Sequence, residues 1–187
     1  MTIDYQQLEH KHFDGVLALG NDVHGDNYLD EESLLKIYEN SWQQNINASW
    51  VAINEHNGLI GFRLTLAPSK WEVDKWCSES LWPFPKSETC YFKCNTVAES
   101  ARGKGVGSTL LKKSIATVKL QGAKAGLAHI WLASPGNSAF KYFSANGGKL
   151  IKEHPNKWQH HSIEDAYLCP VCGELCECKA AEMLLTF

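Results

Sequence analysis

Two stretches of this chain place residue types at spacings that can do chemistry. In ARGKGVGSTLL, Ala101 to Leu111, the glycines Gly103, Gly105 and Gly107 alternate with other residues ahead of an apolar helical stripe. Glycines let backbone amides approach an anion, and the start of a helix adds its positive end, so the arrangement suits a phosphate. The spacing excludes a P-loop, because Lys104 precedes the last two glycines where GxxxxGK(S/T) needs it to follow them. It also departs from the dinucleotide fingerprint GxGxxG, with no acid at the expected distance on a second strand. A tight strand-to-helix turn whose glycines serve only packing remains the alternative. The second stretch is LCPVCGELCECK, which holds Cys169, Cys172, Cys176 and Cys178, four of the seven cysteines. CPxCG has the shape of a zinc knuckle, a tight turn that aims two thiolates at one metal. The reading is a structural zinc that staples a C-terminal hairpin, AYL against EMLLTF, with the sulfurs at its tip. His154, His160 or His161 can replace one sulfur, and reduced free thiols or a redox pair are the alternatives. Cys77, Cys90 and Cys94 read as separate buried thiols.

Positioning these groups requires strands that alternate with helices. DEESLLKIY, Asp30 to Tyr38, reads as a helix with acids in its first turn and Leu34, Leu35 and Tyr38 on one face. Ser49 to Ile53 and Leu59 to Leu66 read as a hairpin with Asn57-Gly58 at its turn. A β-rich run, Thr89 to Val97, leads straight into the glycines, and Val106 to Leu120 continues as a helix. Leu127 to Ala133 is a short apolar run of buried-strand type, Asn137 to Asn146 a second helix ended by Gly147-Gly148, and Lys149 to Glu153 a strand. The order argues for α/β packing with at least one parallel pair. Between the hairpin and Thr89 lies an aperiodic segment, Ala67 to Ser87, with Trp71, Trp76, Trp82 and Phe84 among three prolines. Such a segment walls a pocket or packs as a lid.

The chain's 187 residues suffice for one domain with a real core, and its 44% apolar and 21% charged content is that of an ordinary globular protein. A net charge of -3 gives no general attraction to nucleic acid or anionic lipid. No apolar run is long enough for a membrane span, and the first residues lack the pattern of a signal peptide. The expected location is therefore cytoplasmic, with thiols kept reduced.

Val97 to Leu111, VAESARGKGVGSTLL, resembles the acetyl-CoA-binding motif of the GCN5-related N-acetyltransferases, Val-x-Pro-x-x-Arg/Gln-x-x-Gly-x-Gly/Ala followed by an apolar helix. Val97, Arg102, Gly105 and Gly107 match, and Glu99 stands where proline is common. The resemblance runs from about Ser49 to Leu150. It implies a mixed, mostly antiparallel sheet with a V-shaped splay between two central parallel strands, helices on both faces, and one such domain over residues 1–187. It implies that amides of Arg102, Gly103, Lys104, Gly105, Val106, Gly107 and Ser108 cradle the CoA pyrophosphate. The strand end, Asn95, Thr96 and Val97, would pair with the pantetheine arm, and Asn137 would touch the cofactor or cap its helix. The activity implied is direct acetyl transfer to a small-molecule or peptide amine, and a homodimer stays open. The family's usual tyrosine acid falls here on Phe143, with Tyr142 one residue earlier, about 100° around a helix, as the candidate acid. Glu72, Asp74, Glu79, Glu88 and His129 flank the acceptor side without a motif for a base. A non-catalytic acyl-CoA sensor and a zinc-stabilised interaction module are the alternatives in other classes.

Overall fold

The computed structural model of the chain describes residues 2–56 and 58–187. Its strands are β1 (Ile3–Gln7), β2 (Trp42–Gln43), β3 (Ile46–Asn47), β4 (Trp50–Asn54), β5 (Leu59–Leu66), β6 (Thr89–Val97), β7 (Ala125–Trp131), β8 (Lys149–His154) and β9 (Ala180–Thr186). Its helices are α1 (Phe13–His24), α2 (Glu31–Asn40), α3 (Val106–Leu120), α4 (Ser138–Ala145) and α5 (Gln159–Glu164). Seven strands form one sheet in the order β1-β4-β5-β6-β7-β9-β8, while β2 and β3 form a separate ribbon. Every pair in the large sheet is antiparallel except β6 with β7. The expected mixed sheet with helices on both faces is what the chain adopts. Among the described residues, no helix is long and apolar enough to cross a membrane.

Alternation along the central strands divides the helices between the faces. Phe62 and Leu64 of β5 pack with Phe13 and Val16 of α1 and Leu34 and Ile37 of α2. On the other face, Cys90 and Phe92 of β6 pack with Leu111 and Val118 of α3 and Phe143 of α4. The acids that open α2 are joined by a reciprocal cap, in which Ser33 N–H donates to Asp30 Oδ1 at 2.7 Å and Asp30 N–H to Ser33 Oγ at 3.1 Å.

Two sequence expectations change and one, the first hairpin, holds. Nothing before Asp30 was assigned, yet β1 and α1 precede it: β1 is a half-buried edge, and α1 is interrupted by Gly15 and Gly20, which blur its apolar period. The hairpin β4–β5 exists, closed by Asn54 N–H on the Gly58 carbonyl at 2.9 Å, with Asn57 outside the described residues. The terminal hairpin is β8 with β9, and Ala166 to Leu168 forms no strand. The cysteine cluster therefore lies after α5 within a long β8–β9 connection. Burial decides this outcome: β9 is covered on both edges by β7 and β8, leaving no side for AYL.

Candidate active site

Two irregularities in β6 create the site. The first is a bulge: Leu64 pairs with Cys94 and Thr65 with Phe92, which leaves Lys93 unpaired. An extra residue reverses the alternation. Phe92 and Asn95 therefore share the α3–α4 face, whereas Cys94 turns toward α1 and α2. The second is a splay: β6 and β7 pair only at Thr89–Ala125, Cys90–Gly126 and Tyr91–Leu127. Beyond Tyr91 the β7-facing edge of β6 has no strand partner, so its backbone groups are available to a ligand. The Phe92 ring wedges this opening. It occupies the place a Cβ on Gly126 would take, lies edge-on to Phe143 at 6.0 Å, and carries the Arg63 guanidinium over its face at 4.4 Å.

A cavity of about 1120 Å³ follows the splay. Asn95, Thr96 and Val97 line it from β6, and Arg102, Gly103, Gly105, Val106, Gly107 and Ser108 from the loop and the start of α3. Lys104 is not on this wall; its ammonium donates to the Ser100 carbonyl at 2.7 Å. Gly103 and Gly105 take φ of 73° and 78°, and a Cβ on either would meet nothing within 4 Å. Their role is therefore backbone conformation rather than packing. Gly105 caps α3 without any side-chain bond, and the first intrahelical bond comes from Thr109 N–H, so the earlier amides of the helix point out of its positive end. Amides so placed can seat an anion.

Tyr142 and Arg63 sit beneath these amides. Tyr142 Oη donates to the Gly107 carbonyl at 2.8 Å and accepts from Arg63 Nη1 at 3.4 Å. Burial pushes the Tyr142 hydroxyl above its ordinary pKa, against an opposing pull from Arg63. Phe143, at the position where the resemblance puts a tyrosine, is fully buried in the core. Arg63 is itself only 2% exposed, and its Nε and Asn95 Oδ1 are buried with no partner. Two orphaned polar atoms on one cavity wall fit a ligand that carries amides and carbonyls, as the pantetheine arm of CoA does. Asn137 Oδ1 is likewise buried and unpaired, and its side chain does not cap α4; Ser134 Oγ takes the Ala139 N–H at 3.1 Å instead. The capping role expected as one option for Asn137 is thereby corrected.

On the opposite wall stands a group that sequence reasoning missed. His24, the last residue of α1, places Nε2 2.8 Å from Thr96 Oγ1 and 3.7 Å from Cys94 Sγ, and Cys94 Sγ is 3.2 Å from Thr96 Oγ1. The His24 ring lies 4.4 Å from the ring of Tyr28. Burial alone would raise the Cys94 thiol, but His24 and the Thr96 and Tyr28 hydroxyls outweigh it and bring the pKa to about 7. Cys94 is buried as expected but belongs to this network, and Cys77 is only half-buried. The one available sequence signal was Gly25, a helix stop directly after a histidine.

The acceptor-side candidates separate. His129 accepts from Tyr91 Oη at 2.9 Å and donates to the Trp76 carbonyl at 2.7 Å, and burial, with the Lys157 cation, lowers its pKa to about 4. Both ring nitrogens are committed, so it pins the Trp-rich segment. Asp74 faces Lys157 at 3.6 Å, and Glu88 pairs with Lys124 at 2.8 Å. Glu72 and Glu79 are exposed. Trp71 donates to the Thr89 carbonyl at 2.8 Å and Trp82 to Glu182 at 2.9 Å, and both are buried, so the segment is a packed strap of which Trp71, Glu72, Asp74 and Cys77 reach the cavity.

A family model described as the acetyltransferase (GNAT) family matches residues 16–146. A comparison with curated proteins found no match. Among solved structures, a chain of the NatC complex bound to Gag peptide and CoA superposes with a TM-score of 0.70 at 13% identity, over 100% of this chain and 99% of that one. A ribosomal-protein-alanine N-acetyltransferase from Brucella melitensis gives 0.67 at 16%, over 98% and 99%. A GCN5-related N-acetyltransferase from Kribbella flavida gives 0.65 at 17%, over 99% and 98%. At these identities the structural likeness is one of fold. The family match spans the splayed strand, the glycine loop and the helix carrying Tyr142, and by it this chain belongs to the GNAT family of acetyltransferases.

Proposed function

We propose that this chain transfers the acetyl group of acetyl-CoA directly to the amine of a small molecule or peptide. The observation that carries this reading is the meeting, in one cavity, of an uncapped helix start with an open strand edge bearing orphaned polar atoms. Amides from Gly103 to Ser108 would hold the pyrophosphate, with the dipole of α3 behind them. The free edge of β6 from Phe92 to Val97 would take the pantetheine arm and hold the thioester carbonyl against backbone N–H groups, which stabilise the charge that develops on attack. Asn137, at the start of α4, is included as a cofactor contact. Tyr142 is assigned the proton for the leaving thiolate because it lines the cavity beside the glycine loop and its phenol is protonated at neutral pH. The acceptor would enter from the side of α1, where His24 and Tyr28 stand. Of the structures named above, one is bound to Gag peptide and another is a ribosomal-protein-alanine N-acetyltransferase, which makes a peptide amine the first class to try.

Residues 1–187 are read as one such domain, working in the cytoplasm, and a zinc ion on Cys169, Cys172, Cys176 and Cys178 is the second group assigned to it. The test is release of free CoA thiol from acetyl-CoA with a panel of amines and peptides. Turnover is expected, and Tyr142→Phe should lower kcat by about 10²- to 10⁴-fold with the KM for acetyl-CoA little changed. Tight CoA binding without turnover on any amine would replace this reading with that of a sensor.

A further inference from the structure

We propose that Cys169, Cys172, Cys176 and Cys178 bind one zinc ion, and that this ion fixes the cavity wall opposite the glycine loop instead of taking part in transfer. The four Sγ atoms lie within 4.8 Å of one another, with Cys169 and Cys178 3.7 Å apart and Cys172 and Cys178 3.4 Å apart. Four thiolates about 2.3 Å from a tetrahedral zinc stand at edges of about 3.8 Å, so the sulfurs already occupy the corners of such a site. All four are free of disulfides, and three are buried. The CxC pair, whose bite looks narrow on paper, reaches the cluster because the chain turns at Cys176, whose N–H donates to Ser162 Oγ at 3.1 Å.

The turn is that of a metal knuckle. Cys169 N–H donates to the Gly173 carbonyl at 3.0 Å, Gly173 N–H returns the bond at 2.9 Å, and Cys172 N–H points at Cys169 Sγ at 3.5 Å. Donors aimed at sulfur are what thiolates need when they share a cation. No histidine is required. Among the described residues the cluster of mutually close ligand atoms holds the four cysteines and none of His154, His160 and His161.

The knuckle is tied to the far wall by three bonds. Tyr167 Oη donates to the His24 carbonyl at 2.8 Å, Leu168 N–H to the Asp26 carbonyl at 3.4 Å, and Asn27 Nδ2 to the Ala166 carbonyl at 3.2 Å. Tyr167, Trp158 and Cys176 themselves line the cavity. Residues 166–168 have no strand partner; they are held between α5, where Tyr167 N–H donates to the His161 carbonyl at 3.1 Å, and the knuckle that follows them. The metal thus holds the end of α1 and the turn to α2, with His24 and Tyr28 on it. The glycine loop is built by β6 and α3 and receives none of these bonds. That this wall serves the acceptor rests on the acetyltransferase reading; the metal and its mechanical effect do not.

The test begins with metal analysis of the purified chain. One zinc per chain is expected, released by a mercurial thiol reagent as four thiols are titrated. A folded chain with no metal and four immediately reactive thiols would overturn the site, and stoichiometric iron would overturn its assignment to zinc. Hydrogen exchange then reads the wall without any acceptor. Zinc loss should speed exchange several-fold across residues 24–30 while residues 103–108 and CoA binding stay unchanged. Equal exchange with and without zinc would overturn the mechanical role. Should zinc loss unfold the chain, Tyr167→Phe in zinc-loaded protein supplies the same reading: zinc retained, faster exchange at 24–30, and no change there would refute the link. If no amine is ever acetylated, the functional reading falls while metal content and exchange still decide this one.

Discussion

Replacing Glu182 with leucine should be among the most damaging single changes in this chain. The Glu182 side chain is fully buried in β9, and it holds the strap in place. Its Oε1 accepts from Ser78 N–H at 2.8 Å and from Trp82 Nε1 at 2.9 Å, and its Oε2 from His154 Nε2 at 3.0 Å. Leucine is close in volume, so no large cavity arises, but two buried donors, on Trp82 and His154, and the half-buried Ser78 N–H lose their acceptor. Each unsatisfied buried donor costs about 1–3 kcal/mol, which sets a floor of about 2 kcal/mol, against a total stability of roughly 5–15 kcal/mol. Glu182→Gln keeps an oxygen for Ser78 and Trp82 and can donate to His154 in its other tautomer, so its expected cost is about 1 kcal/mol. Urea unfolding followed by tryptophan fluorescence measures both. The pH dependence adds an independent check. Burial works to raise the Glu182 carboxyl, but the bonds from Ser78, His154 and Trp82 outweigh it and hold the pKa below its usual 4.5. An acid depressed in the folded state contributes stability that is full above 4.5 and is lost as pH falls through the folded value. The gap between the native chain and Glu182→Gln should therefore narrow below pH 4.5. A leucine variant within 1 kcal/mol of the native chain would refute the whole account of the strap.

Other outcomes follow from the same geometry. Alkylation of Cys94 by iodoacetamide should rise with a midpoint near pH 7, move to higher pH in His24→Asn, and be blocked by CoA; Cys77, whose thiol burial pushes up to about 12, should react far more slowly. Gly105→Ala forces a left-handed φ of 78° on a residue with a Cβ, which costs about 1 kcal/mol, and it places a methyl in the open space of the anion seat. Calorimetry should show CoA binding weakened tenfold or more, beyond what that strain explains. His129 is held neutral by burial, its pKa lowered to about 4 from 6.5, so the unfolded chain takes up its proton first as pH falls. Its contribution is full above 6.5 and is lost between 6.5 and 4, and thermal melts of His129→Gln should show a flatter slope across that window.

How much of this was legible depends on whether local pattern or distant pairing decides the element. The run Thr89 to Val97 and the helix Val106 to Leu120 were read to the residue, because β-branched and aromatic content and a clean apolar stripe are local signals. The bulge at Lys93 leaves no such mark, since it arises from register against β5, and yet it decides that Cys94 and Asn95 serve opposite walls. Arg63 did carry a signal that went unused: a cation inside the apolar run GFRLTL must either break the strand or be held for a purpose. The cysteine spacing pointed to a cluster of four thiols but not to its place in the fold. That place follows from β9 being claimed on both edges, a fact of the whole sheet.

The bulge and the splay together explain why one strand can serve both partners of a transfer reaction. Regular alternation would put Phe92 and Cys94 on one face, and the side chains after them in phase with both. One extra residue turns Asn95 toward Gly107 and sends Cys94 and Thr96 toward His24. At the same point β7 departs, so the β6 backbone between these two sets of side chains faces the cavity with its own amides free of a strand. A thioester laid along that edge would meet the glycine loop and Tyr142 on one side and His24 with Tyr28 on the other. Deleting Lys93 removes the extra residue, and Phe92, Cys94, Asn95 and Thr96 then alternate regularly with the same facing they have now. The expected result is a folded sheet in which Cys94 keeps its contact with Thr96 and its alkylation midpoint near pH 7. Loss of that midpoint in the deletion would show that Lys93 is not the residue that divides the walls.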